Sequence, residues 1–183
     1  MIKVFFGGSR KLGRINSAIR TRLHNLISNG HTVLIGDANG VDKAVQSFFA
    51  GEAYQNVLVY CMDGDCRNNV GNWRIRAIDS GAKRKDFAYY AIKDAAMALE
   101  ADYGFMVWDG ESKGTLNNVL NLLQQGKAVL LYRSRSRAFL EVRSSDDLLR
   151  VLESCPLDVR EYLNKRIKLD KRASMASQAQ LRI

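Results

Sequence analysis

The chain has 183 residues, of which 46% are hydrophobic, and it carries a formal net charge of +9. This length and apolar content suit one soluble globular domain with a modest extension, and no apolar run approaches the roughly 20 residues of a membrane span. The N-terminal residues lack the cleavage pattern of a signal peptide, so we expect a cytoplasmic protein.

Few cysteines and histidines are present, and this limits the chemistry. Cys61, Cys66 and Cys155 are odd in number and follow no C-x-x-C spacing, which favours reduced thiols over a disulfide framework or a zinc site. With only His24 and His31, a histidine-rich metal site or a Ser-His-Asp triad has little to draw on. We therefore expect neither a bound metal nor a resident cofactor.

The positive charge is concentrated towards the C-terminus. Residues 133–183 hold 12 basic and 7 acidic side chains, so they supply +5 of the +9. A basic end of this kind attracts phosphate groups or nucleic acid non-specifically. A solvated helix with a solubilising tail would have the same composition.

Strand and helix patterns alternate along the first 132 residues. Short β-branched or aromatic runs are typical of buried strands, and the stretches between them have amphipathic helical spacing. The predicted strands are Ile2–Phe6, Thr32–Ile35, Val57–Tyr60, Tyr103–Trp108 and Ala128–Tyr132. The predicted helices lie near Ile15–Ser28, Val41–Ala53, Phe87–Leu99 and Leu116–Gln125. This alternation predicts a Rossmann-like α/β three-layer sandwich with a mostly parallel sheet.

A long polar segment, Met62–Lys85, interrupts the alternation after the third strand. It is too long for an ordinary connection, so we interpret it as a lid or ligand loop, or else as a disordered surface loop. Trp73 lies within it and is a weak candidate for stacking on a ligand. Trp108 ends a buried strand, and we expect it to belong to the core, with stacking on a base as the alternative.

The pattern changes again beyond residue 132. It predicts an edge strand at Ala138–Val142, a helix from a capping box at Ser144 to about Glu153, and a basic helix over Leu157–Leu169. Residues 173–183 lack apolar periodicity, and we expect them to be disordered. The chain is thus divided into a core (1–132), a C-terminal strand and helices packed on it (133–172) and a tail.

Small and polar residues follow three of the predicted strands. The loops read Phe6-Gly7-Gly8-Ser9-Arg10, Gly36-Asp37-Ala38-Asn39-Gly40-Val41-Asp42 and Asp109-Gly110-Glu111-Ser112-Lys113-Gly114-Thr115. Because the carboxyl ends of parallel strands meet at one edge of a sheet, we expect the three loops to converge there.

The residue types in these loops suit a phosphorylated ligand. The third loop opens a helix, and the free N–H groups of a helix N-terminus bind anions, typically phosphate. Ser9 and Arg10 offer further donors, whereas Asp37 or Asp42 would bind ribose hydroxyls or, alternatively, cap the next helix. The predicted ligand-binding residues are Gly7, Gly8, Ser9, Arg10, Gly36, Asp37, Ala38, Asp42, Asp109, Gly110, Ser112, Gly114 and Thr115.

Together, GGSR after strand one, GDANGVD after strand two, and MALEAD with DGESKGT around strand four resemble the SLOG superfamily. That Rossmann-like group includes the lonely-guy phosphoribohydrolases and the DNA-processing protein A family. The resemblance covers residues 1–132. It implies a homodimer and a nucleotide-derived ligand, with its phosphate against Ser112, Gly114 and Thr115.

The phosphoribohydrolase pattern is matched only in part. Met97 keeps the family spacing, but Lys93-Asp94 stand where the resemblance implies an Arg-Lys pair, and Asn118 stands in place of the catalytic Glu. Gly110-Glu111-Ser112 likewise replace the P-G-G of the phosphate loop. Since an amide cannot act as a carboxylate base, hydrolysis of a nucleoside 5′-monophosphate would need another group.

Four side chains are weak candidates for that catalytic work. The candidate carboxylates are Asp109, Glu111 and Asp37. Lys93 would reach the ligand phosphate, or else be a surface lysine whose stem covers neighbouring tyrosines.

The DNA-processing family offers a second comparison. Its G-S-R and G-x-A-x-G-x-D elements are similar to the first two loops, and the basic C-terminal region adds to a nucleic-acid hypothesis. The acidic loop at Asp109 and Glu111, and the lack of an interleaved basic and aromatic stripe, disfavour it. The leading hypothesis is therefore a ligand-binding or sensor protein for a nucleotide-like small molecule, with N-glycosidase and nucleic-acid binding as alternatives.

Overall fold

The computed structural model describes residues 1–79, 81, 85–153 and 155–180, with side chains through residue 168. The strands are β1 Lys3–Gly8, β2 Thr32–Gly36, β3 Val57–Met62, β4 Arg74–Ile78, β5 Tyr103–Trp108, β6 Val129–Arg133 and β7 Ala138–Val142. The helices are α1 Ser17–Ser28, α2 Val41–Gly51, α3 Phe87–Glu100, α4 Lys113–Gln124, α5 Ser145–Leu152 and α6 Leu157–Gln180.

In the part of the chain described, seven strands form one sheet in the order β4-β3-β2-β1-β5-β6-β7. All neighbouring strands are parallel except β6 and β7, which are antiparallel. The predicted α/β class with a mostly parallel sheet is thus confirmed. The chain moves outward from β1 in both directions, so β1 and β5 flank the switch point at which open α/β sheets bind ligands.

Alternation along the strands divides the core into two layers. Phe5 of β1 packs with α3, α4, α5 and α6 on one face of the sheet, whereas its neighbour Phe6 packs with α1 and α2 on the other. Successive side chains of a strand point to opposite faces of the sheet. Because helices cover both faces here, consecutive buried residues of β1 must all be apolar.

The segment Met62–Lys85 contains a strand that the sequence pattern did not predict. β4 pairs in parallel with β3 at the sheet edge, and most of its residues are exposed. Arginines alternate with apolar residues along β4. Because little of the strand is buried, its sequence contains no apolar run and reads as a polar loop. The interpretation of the whole segment as a lid or disordered loop is therefore corrected, although residues 80 and 82–84 lie outside the described residues.

The C-terminal region belongs to the same core. Val159, Leu163 and Ile167 of α6 are buried in the layer that contains α4. The helix continues to Gln180, so residues 173–180 have a helical backbone where the sequence predicts a disordered tail, and residues 181–183 lie outside the described part. In the part described, every helix is too short or too polar to cross a membrane.

Candidate functional site

Ser9, at the end of β1, joins the three glycine-bearing loops. Its carbonyl accepts a hydrogen bond from the Val41 amide at 3.3 Å, and its hydroxyl accepts one from the Asp109 amide at 3.1 Å. The same hydroxyl lies 3.3 Å from that of Thr115. Ser9 is fully buried, so it holds the loops together and does not face a ligand.

The loops enclose a cavity of about 550 Å³ at the carboxyl edge of the sheet. Its volume lies within the roughly 300–1,000 Å³ typical of small-molecule sites. Of the predicted ligand-binding residues, ten line it: Gly7, Gly8, Arg10, Gly36, Ala38, Asp42, Asp109, Ser112, Gly114 and Thr115. Ser9, Asp37 and Gly110 are not among the lining residues. The predicted convergence of the loops is therefore observed.

The N-terminus of α4 forms one wall of the cavity. Ser112 is the N-cap, and its hydroxyl accepts hydrogen bonds from the amide and the hydroxyl of Thr115, at 3.4 and 3.1 Å. The amides of Lys113 and Gly114, the first residues of the helix, have no acceptor within it. Both residues line the cavity, so this wall can offer donors and the positive end of a helix dipole to an anion.

Asp109 and Glu111, two of the catalytic candidates, have structural partners. Asp109 accepts hydrogen bonds from the amides of Glu111 and Ser112, at 2.9 and 2.8 Å, and so shapes the loop. Glu111 is half-exposed at the cavity rim, where it forms ion pairs with Lys11 and Arg135. Neither carboxylate is placed as a free base deep in the cavity.

A buried charge cluster lies at the inner end of the cavity. The Lys93 ammonium is 2.7 Å from Asp94 and 4.0 Å from Asp37, and only 4% of the side chain is exposed. Lys93 is therefore a cavity residue, and its interpretation as a surface lysine is wrong. Gly36 permits this packing, because a Cβ there would lie 2.6 Å from Asp42 Oδ2 and 3.0 Å from Lys93 Nζ.

Burial and neighbouring charges set the protonation of this cluster. Burial raises the pKa of Asp42 to about 7, an effect that the charge of Lys93 only partly opposes. Burial alone would lower the pKa of Lys93, but the carboxylates of Asp94 and Asp42 hold it above its ordinary value. At neutral pH the cluster thus combines a fixed cation with a carboxyl group that readily gains or loses a proton.

Asp37 is occupied by a residue of the long segment after β3. Arg67 donates to its two carboxylate oxygens, at 3.0 Å from Nε and 2.6 Å from Nη2. Burial would raise the pKa of Asp37, but these hydrogen bonds bring it below its ordinary value. Asp37 therefore anchors Arg67, and of the two aspartates that follow β2, Asp42 is the one that lines the cavity.

Asn118 lies one turn into α4 from Gly114 and lines the cavity. It is 8% exposed, and its Oδ1 atom has no hydrogen-bond partner among the described residues. A buried carbonyl oxygen without a donor is costly, so Oδ1 of Asn118 is an acceptor available to whatever occupies the cavity, water or a ligand.

Several cavity residues were not predicted as ligand-binding from the sequence. Phe87 and Tyr90 of α3 line the cavity, together with Asp94 and Asn118. The helical spacing of Phe87, Tyr90 and Asp94 was the available signal, since they share a face with Lys93. The two tryptophans are structural: Trp108 is fully buried, as predicted, and the buried Trp73 donates to the Tyr54 carbonyl at 2.8 Å.

All three cysteines lie in the described part of the chain and carry free thiols. Among the residues that the structure describes, no three His, Cys, Asp or Glu side chains come together in a group that could hold a metal ion.

Comparison with protein-family models finds no match, and comparison with curated proteins finds none. Among solved structures, the chain is similar to DNA processing protein A from Helicobacter pylori, with a TM-score of 0.57 and 14% identity. The alignment covers 91% of this chain and 80% of that chain. At this identity the likeness concerns the fold, and the chain shares the Rossmann-like α/β architecture of that protein.

Proposed function

We propose that the chain binds a phosphorylated nucleotide, or a small molecule derived from one, in the cavity at the carboxyl edge of its sheet. The observation that carries this proposal is the unpartnered Oδ1 of Asn118 inside a ligand-sized cavity. The resemblance of the loop motifs to the SLOG superfamily supports the same class of ligand. We therefore favour a ligand-binding or sensor role, since binding requires only hydrogen-bonding groups and a volume of this size.

The ligand phosphate is assigned to the N-terminus of α4. Lys113 and Gly114 supply amides there, and Arg10 lines the facing wall. A helix N-terminus favours a phosphate through both its free donors and its dipole. Thr115 is less suited to direct binding than the sequence implied, because its hydroxyl already contacts those of Ser9 and Ser112.

The sugar is assigned to the inner end of the cavity. Asp42 Oδ2 accepts a hydrogen bond from the Ala38 amide at 3.3 Å, which leaves its other oxygen for a ligand. Asn118 lies about one helical turn, roughly 5 Å, from the amide of Gly114, a separation that suits a sugar next to its phosphate. Hydroxyl donors of a ribose would satisfy both acceptors.

Titration calorimetry with nucleoside monophosphates, cyclic nucleotides and ADP-ribose tests this proposal. We expect at least one micromolar ligand, and we expect Asn118→Leu to weaken its binding by tenfold or more because the ligand loses its acceptor. Asn117→Leu is the matched control, since Asn117 accepts from Arg166 at 3.4 Å and does not line the cavity. Absence of binding across the panel would refute the proposal.

Hydrolysis at the same site is supported by Asp42. A carboxyl group with a pKa of about 7 can, while protonated, donate its proton to the base as the N-glycosidic bond breaks. A water molecule then adds to the ribose carbon that the base has left, and the proton that this water loses returns to the Asp42 carboxylate. Chromatography of the same mixtures would then show free base, and Asp42→Asn would stop its release. If no nucleotide yields base, the site binds without cleaving.

Nucleic-acid binding is a second candidate. The solved structure of DNA processing protein A from Helicobacter pylori is described for its single-stranded DNA binding mode. In this chain Arg133 is the last residue of β6, and Arg135 and Arg137 follow it, on the edge of the sheet where the cavity opens. A row of basic side chains at that edge suits contacts with backbone phosphates.

Fluorescence anisotropy with a labelled single-stranded oligonucleotide tests this second function. Deletion of residues 157–183 is an unsuitable variant because α6 is part of the core. We expect Arg135→Ala/Arg137→Ala to weaken binding and to reduce its salt dependence, whereas Lys165→Ala/Lys168→Ala on exposed positions of α6 leaves both unchanged. No binding at low salt would eliminate this candidate.

A further inference from the structure

Phe87 is a large apolar side chain exposed within the rim of the cavity. It is the first residue of α3, it is 55% exposed, and it lines the cavity. Its ring lies beside the N-terminus of α4, since a Cβ on Gly114 would be 3.7 Å from Phe87 Cε2. The apolar ring therefore borders the amides assigned to the phosphate.

Tyr90 extends this aromatic wall by one turn of α3. Its ring centre is 4.4 Å from the guanidinium of Arg67 and 5.2 Å from that of Arg10. Arg67 is fixed by its ion pair with Asp37, and Tyr89 packs edge-on against Tyr90 at 5.0 Å. Tyr90 is thus held in place by neighbours on several sides, whereas Phe87 keeps much of its surface open.

The two walls of the cavity differ in chemistry. The α4 side presents amides and hydroxyls to a charged group, whereas the first turn of α3 presents aromatic rings with Arg10 close by. Flat heteroaromatic rings stack on such aromatic and guanidinium surfaces irrespective of their hydrogen-bonding pattern. A bare sugar phosphate would leave the α3 side uncovered.

We propose that Phe87 and Tyr90 form a stacking subsite for the nucleobase of the ligand, so that the cavity binds nucleotides in preference to sugar phosphates. This inference rests on the proposed function. It assigns a binding surface to the nucleobase, whereas the loops bind the phosphate and the sugar. The subsite contacts a π-face and not the edge of the base, so it accepts purines and pyrimidines alike.

Titration calorimetry of the full chain with the four common ribonucleoside 5′-monophosphates and with ribose 5-phosphate tests the subsite. We expect at least one nucleotide to bind about tenfold or more tightly than ribose 5-phosphate. Phe87→Ala removes that preference and leaves the affinity for ribose 5-phosphate unchanged. The variant should fold normally, because the side chain is largely exposed.

Two further variants make the result specific. Leu99→Ala is the control, since Leu99 lies on the same helix, is 67% exposed and does not line the cavity. It should behave as the unmodified chain. Phe87→Trp keeps a ring, so it should retain the preference, and its fluorescence should be quenched by the nucleotide but not by ribose 5-phosphate.

The outcomes separate the subsite from the proposed function. If none of the five compounds binds, the stacking subsite is overturned, and the proposed function fails with it only if cyclic nucleotides and ADP-ribose do not bind either. If ribose 5-phosphate binds as tightly as every nucleotide, or if Phe87→Ala weakens all compounds equally, only the stacking subsite is overturned.

Discussion

Asn118 and Asn117 are neighbours on α4 with opposite environments. Asn118 has an unpartnered oxygen in the cavity, while Asn117 accepts a hydrogen bond from Arg166 of α6. We expect Asn118→Leu to raise the free energy of unfolding by about 1 kcal/mol, because a buried unsatisfied group costs about 1–3 kcal/mol. Asn117→Leu should lower it, since it leaves the Arg166 guanidinium without an acceptor. Urea unfolding measures both, and a loss of stability in Asn118→Leu would show that Oδ1 of Asn118 has a hydrogen-bond partner in the free protein.

Asp42 makes stability depend on pH. Burial raises its pKa from 3.8 to about 7, so between these values the folded chain holds a proton that the unfolded chain has released. Its contribution to stability is complete below about pH 4 and is lost as the pH rises to about 7. The full loss is at most about 4 kcal/mol, since one pKa unit corresponds to about 1.4 kcal/mol.

Urea unfolding of the unmodified chain and of Asp42→Asn, from pH 4 to pH 8, measures this contribution. The unmodified chain should lose stability relative to the variant across that range, and the difference should level off above about pH 7. A difference that stays constant with pH would show that Asp42 is ionised throughout.

Sequence motifs predicted which loops meet, but not which side chains remain available in them. Ser9 and Asp37 both belong to glycine-bearing loops, yet Ser9 joins those loops and Asp37 binds Arg67, about 30 positions away. Such partners are set by tertiary packing and leave no local pattern. In the sequence, Asn118 is only a departure from a catalytic motif, and its unpartnered oxygen is a property of the folded chain.

Helix α6 is the element whose role the sequence described least well. Its charge suggests a solvated basic helix, but Leu163 is fully buried against the core. We expect Leu163→Ala to destabilise the chain by about 2–5 kcal/mol, the usual cost of removing a buried leucine side chain. Leu157→Ala, at a position that is 66% exposed on the same helix, should change stability little.

Thermal or urea unfolding of these two variants distinguishes a core helix from an appended one. Equal stability of both variants and the unmodified chain would mean that α6 does not pack as described. Removal of α6 should also destabilise the chain, because it would expose the core residues against which Val159 and Ile167 of that helix pack.

The burial of a strand decides whether the sequence pattern predicts it, as β5 and β4 show. β5 was predicted at its observed bounds because it is buried on both faces, which leaves a continuous apolar run. β4 lies at the edge with mostly exposed residues, so hydrophobic periodicity carries little of its signal. β4 forms because it pairs in parallel with β3, and this pairing depends on the tertiary structure and not on the local sequence.

At the scale of the whole molecule, the order of the strands brings the site together. β1 and β5 are neighbours although about 100 residues separate them, so the loops after Gly8 and Trp108 meet at the switch point. Strand and helix alternation predicts this topology without close sequence similarity, which accords with the shared fold at 14% identity. The ligand's identity depends on side-chain placement, which alternation does not determine.

Heteronuclear NMR of the full chain, titrated with the tightest-binding nucleotide, tests most directly where the ligand lies. We expect the largest shift changes at the backbone amides of Lys113 and Gly114 and at the side-chain amide of Asn118. Changes should also occur around Phe87. Shift changes confined to residues outside the cavity, such as those around Trp73, which does not line it, or an absence of changes at saturating nucleotide, would contradict the proposed position of the ligand.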